Sequence, residues 1–139
     1  MMRTKQLKNI GTVVASEITL TDTSLGLYIP IETESDMIKR EREKFESWVT
    51  RDVKKACPEV KLDECVLHTE TDLYINTGCR NEHGRYELTF SIGFVSWFTD
   101  AEGNEIYDDI SDGFEIGLSE EDKSYIKRLM AVKIVDILM

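Results

Sequence analysis

Residues 86–98, YELTFSIGFVSWF, alternate without a break over most of their length. Tyr86, Leu88, Phe90, Ile92 and Phe94 share one parity, and Glu87, Thr89 and Ser91 hold the other. A side-chain period of two over so long a run fits a strand with one buried face and does not fit a helix. Such a strand needs a sheet with one covered side, and the rest of the chain has to supply it. From Val95 to Trp97 the second parity turns apolar as well, so that end of the strand is expected to be covered on both sides. Gly93, inside the run, suggests a bulge or a close backbone approach.

Other segments complete the sheet. Residues 10–31 read as a hairpin, with Val14, Ile18 and Leu20 on one arm and Leu25, Leu27, Ile29 and Ile31 alternating on the other. TDTSLG is the turn, and Pro30 places the second arm at an edge. Cys65, Leu67, Thr69, Thr71, Leu73 and Ile75 share a parity over 64–78, which fits either one long bent strand or two strands broken near TETD, the second being the reading preferred. NEHG at 81–84 is a turn signal. A return strand is expected from Glu105 to Tyr107, and Phe114, Ile116 and Leu118 read as a last short strand.

Helical spacing occurs twice. Ile38, Phe45, Trp48, Val49, Val53 and Ala56 form an apolar stripe over about 34–57. Thr33 and Asp36 have capping-box spacing at its start, and Pro58 ends it. A second helix is expected over 120–138, opened by the pair Ser119 and Asp122. Hairpin-linked strands with two helices predict an α+β fold: an antiparallel sheet of five to seven strands with two helices packed on one face. A length of 139 residues suits a single domain over 1–139, with residues 1–9 as a flexible basic N-terminus.

The charge is uneven. The net charge is −10, yet residues 86–122 alone carry eleven carboxylates and no lysine or arginine. Ten of those lie within 99–122, and Glu120, Glu121 and Asp122 fall in the first turn of the second helix, where the helix dipole favours them. Direct nucleic-acid binding is disfavoured, because it needs a basic face to neutralise phosphates. No apolar run reaches the roughly 18 residues of a membrane span, and no apolar segment follows MMRTKQLKN. A cytoplasmic protein with no membrane association is expected.

Catalytic and cofactor patterns are not found. Cys57, Cys65 and Cys79 have neither zinc-site spacing nor the even count of a disulfide framework. His68 and His83 belong to no nucleophile motif, and there is no phosphate-binding glycine loop. DAEGN places Asp100, Glu102 and Asn104 like the start of a calcium loop, but Gly103 and Ser111 fall where that loop needs other residues. The chain therefore reads as non-enzymatic, with no cofactor and no metal.

The acidic stretch is the main functional handle. Asp100, Glu102, Glu105, Asp108, Asp109 and Asp112 are expected on one exposed surface, with Tyr107, Trp97 and Phe98 as candidate aromatic anchors. Carboxylates spaced along a strand and turn can imitate nucleic-acid phosphates. The expected function is a small acidic interaction protein, an inhibitor or nucleic-acid mimic on the basic surface of a nucleic-acid-binding partner. The alternative is a small-molecule protein in which Asn76, Arg80 and Arg85 hold an anionic nucleotide. The second helix carries a core stripe through Ile126, Leu129 and Met130, and Val132, Val135, Leu138 and Met139 widen it into an expected homodimer interface.

Overall fold

A computed structural model describes residues 3–20, 26–80 and 82–138, with the side chains at 20, 78–80, 86 and 133–138 left aside. The strands are β1 (Lys5–Leu7), β2 (Gly11–Val13), β3 (Thr19–Leu20), β4 (Gly26–Glu34), β5 (Val66–Arg80), β6 (Tyr86–Thr99) and β7 (Ile110–Ile116). The helices are α1 (Asp36–Ala56) and α2 (Glu120–Leu138). All strand pairs are antiparallel. The sheet order is β1-β2-β4-β5-β6-β7, with β3 added against β4, so the fold is α+β with two helices packed against the sheet.

β5 and β6 form the spine. They pair from Val66–Thr99 to Arg80–Tyr86, with one irregularity between Asn76 and Cys79. No break occurs at TETD: Thr69 to Asp72 each face a β6 residue, because unbroken alternation lets one long strand serve where two were expected. Gly93 makes no bulge either, and pairs in register with Asp72 and Gly113. On one face lie Leu73, Ile75, Phe90, Ile92, Phe94 and Phe98, all buried. With α1's Ile38, Phe45, Val49 and Val53 and α2's Ile126 and Leu129 they form one core.

α1 begins two residues later than its sequence signal. β4 continues to Glu34, and Thr33 is paired with Thr12, so Thr33 cannot cap. Ser35 does, its Oγ accepting from Ile38 N at 3.4 Å and donating to the Asn9 carbonyl at 2.8 Å. Lys54 and Lys55 occupy the last turn, where the dipole favours cations. Trp48 and Ala56, assigned to the buried stripe on spacing, are exposed, because the covered arc of α1 is narrower than the sequence stripe.

The residues expected as a basic tail form strand β1 against β2, and Leu7 is buried at its end. The turn of 21–25 lies outside the described residues, but both flanks pair as a hairpin. Pro30 lies on an interior strand rather than an edge. Its carbonyl accepts from Val14 N at 2.8 Å, so its missing donor faces the β2–β3 side, where Ala15–Glu17 leave the ladder as a 3-10 turn. The expected return strand at Glu105–Tyr107 reduces to one bridge, Thr99 with Glu105, and the expected last strand through Phe114, Ile116 and Leu118 is β7, which starts earlier, at Ile110, and ends at Ile116.

At α2, Asp122 N donates to Ser119 Oγ at 3.2 Å. The Asp122 carboxylate does not complete a reciprocal box. It is buried and accepts instead from the backbone N–H of Lys8 at 2.9 Å.

Candidate functional site

β4 has three partners: β3 flanks Leu27 and Tyr28, and β2 and β5 divide the strand on unequal terms. It pairs with β5 only from Gly26 to Pro30, while Ile31 to Glu34 pair with β2 alone. β5 runs on from Thr71 to Val66 beside β6. The sheet forks at Pro30–Asp72, and side chains bridge the gap where a backbone ladder would otherwise run.

Arg42, on α1, is the bridge. Its Nε donates to both Glu34 oxygens, at 2.8 and 2.9 Å, and its Nη1 donates to Glu46 Oε1 at 2.6 Å. Thr69 Oγ1 donates to Glu46 Oε2 at 2.6 Å and lies 2.7 Å from the fully buried Ser96 Oγ. A carboxylate only accepts, so the single Thr69 proton goes to Glu46 and Ser96 donates to Thr69. Thr71 Oγ1 donates to Glu34 at 3.1 Å. Burial opposes the Arg42 charge, but the hydrogen bonds and charges of Glu34 and Glu46 outweigh it and raise the guanidinium pKa.

A cavity of about 690 Å³ opens in the fork. Glu17, Glu32, Glu34, Glu46, Glu70 and Asp72 line it against one guanidinium, Arg42. Burial first, and the charge of Glu70 second, push the Asp72 carboxyl from 3.8 up to about 6. This charge balance is the reverse of what an anionic nucleotide needs. Asn76 and Arg85 are not among the lining residues, and the Arg80 side chain lies outside the described residues. Sequence reasoning missed the fork, because nothing in a strand's own pattern says that its neighbours leave it at different points.

The acidic stretch lies at one end of the spine, where β6 crosses to β7. Glu102, Glu105, Asp108, Asp109 and Asp112 are exposed, Asp100 is half-buried, and Tyr107 is 37% exposed. Asp100 Oδ1 accepts from Glu102 N at 3.0 Å and Asn104 N at 2.9 Å, so DAEGN is a carboxylate-closed turn. Among the described residues no group of three or more acidic, histidine or cysteine side chains is placed to hold a metal ion. None of these acids makes an ion pair with a described lysine or arginine.

The six acids do not all share one surface. Asp112 pairs with Phe94 and turns to the helix side, where it lines a recess of about 340 Å³ with Lys44 and Trp48. Trp48, 46% exposed, is an aromatic residue that the stripe pattern concealed. Of the expected anchors, Phe98 is core, and Trp97 is half-buried with its ring stacked on His68 at 5.3 Å. His68 Nε2 lies 2.8 Å from Thr99 Oγ1, and His83 is an exposed turn residue 3.5 Å from Glu82. On α2, Val132 is 44% exposed, the side chains of Val135 and Leu138 lie outside the described residues, and so does Met139.

Comparison with known proteins gives no relative: no protein-family model matches the chain, and neither does any curated protein or solved structure.

Proposed function

We propose that the protein is a small acidic interaction protein whose 100–109 segment occupies a basic surface of a partner protein, in competition with the nucleic acid that such a surface would otherwise hold. What supports this reading is that the fold has little use for the charges. Asp100 closes a turn, whereas Glu102, Glu105, Asp108 and Asp109 stand exposed without a described cation beside them and with Tyr107 among them. Like charges held together repel, and a basic partner relieves that repulsion while its approach is steered by the field.

The test is affinity capture by the full chain and by Asp108→Lys/Asp109→Lys, at about 0.05 M and about 0.5 M salt. The reading expects basic proteins to be retained at low salt, released at high salt, and lost to the double variant. Retention of the same proteins by the variant would return the acids to a solubilising role.

A further inference from the structure

Both helices pack their apolar residues on one face of the sheet, and at the rims of the other face Glu17 borders Glu70 and Asp72 while Lys123 borders Thr89 and Glu115. The outward rows of that other face, over Val66 to Asn76 of β5 and the β6 and β7 positions beside them, contain Glu70, Asp72 and Glu115 and no lysine or arginine. One row consists of Pro30, Asp72, Gly93 and Gly113 side by side, so two of its four positions lack a side chain. Tyr74, its ring tilted against Tyr28 at 5.0 Å, borders this row on one side, and the His68–Trp97 stack lies on the other, toward the acidic turn.

The two glycines differ in why they are there. A Cβ at Gly113 would meet the Ile92 carbonyl at 2.6 Å, so the fold itself requires glycine at that position. A Cβ at Gly93 meets nothing within 4 Å, and its backbone is ordinary. Glycine in mid-strand weakens a sheet, and here the fold gains nothing in return. What Gly93 does leave is an open trough beside a carboxylate.

We propose that this face, over Gly93 and Gly113 and beside Asp72, is the docking surface for an arginine- or lysine-bearing segment of a protein partner. This rests on the reading that the partner is basic, and it extends the contact from the acidic turn along the sheet. Charge complementarity selects the occupant. A second copy in two-fold pairing would set Glu70, Asp72 and Glu115 against their own images, and nucleic acid would meet only like charge. An arriving cation finds flat aromatic rings on which a guanidinium can stack. It also relieves Asp72, whose carboxyl burial and Glu70 already hold up at about 6.

The test titrates the isotope-labelled full chain with a deca-arginine peptide and follows backbone amide and indole resonances. The proposal expects saturable shifts at Gly93, Gly113 and Trp97. Gly93→Thr should bind about tenfold more weakly with an undiminished thermal midpoint. Ser111→Arg, at an exposed site on the same face, should also weaken binding. Shifts confined to 100–109 overturn the docking face and leave the acidic-turn reading standing. No saturable shift anywhere overturns both. Concentration-dependent shifts at Gly93 without peptide assign the face to a second copy and overturn the proposal as well.

Discussion

Replacing Asp72 with asparagine tests the electrostatics of the sheet fork directly. The folded chain holds the Asp72 proton up to about pH 6, against 3.8 in the absence of its surroundings. A carboxyl whose folded pKa is raised binds its proton more tightly in the native state, so the native state loses stability as pH rises from about 4 to about 6. Above that window the penalty is constant, and below it the penalty vanishes. At about 1.4 kcal/mol per pKa unit the full shift corresponds to about 3 kcal/mol. The side chain is half-buried, and water screens both the burial and the Glu70 repulsion, which leaves roughly 1 kcal/mol. An amide in place of the carboxylate carries no charge and escapes the penalty. Urea denaturation of Asp72→Asn and the parent chain across pH 4 to 8 should show the variant more stable by ~1 kcal/mol at pH 7.5, converging with the parent toward pH 4. A stability difference that stays flat across this range, or a variant less stable at pH 7.5, would refute the reasoning.

Arg42→Met should destabilise the chain by about 2–3 kcal/mol in urea denaturation, because it strands two largely buried carboxylates. Adding Glu34→Gln and Glu46→Gln should recover part of that loss, and a single-variant loss below ~0.5 kcal/mol would mean the bridge contributes little to the fork. Self-association through α2 is proposed on the exposure of Val132, and light scattering across the micromolar range should give twice the 16.0 kDa chain mass. A mass of one chain throughout refutes the dimer.

What the sequence revealed and what it hid divide by range. α2 and the β6 alternation were legible because period and caps are local, and each side chain's face follows from its neighbours two or four residues away. The orientation of Trp48 was not: it has the spacing of the stripe, but only the sheet's width beneath α1 decides which part of that arc is covered. The loop acids were legible as exposed, because burying unpaired carboxylates is prohibitive. Asp112 was misgrouped with them, since its direction depends on its register against Phe94. The fork, with its Arg42 bridge, combines β4, α1, β5 and β6, and no single segment of sequence carries that arrangement.

The Asp122–Lys8 hydrogen bond spans 114 residues of chain. Closing so long a loop is entropically expensive until most of the intervening structure exists, whereas β5 and β6 meet across a short turn. The β5–β6 hairpin is thus the natural early partner in folding, and the join between the β1–β2 hairpin and the start of α2 can lock only afterwards. In the reverse direction, that join is the natural first opening. Losing one carboxylate contact there frees the Lys8 amide to exchange with solvent while the spine stays closed, and it uncouples the β1–β2 hairpin from the head of α2.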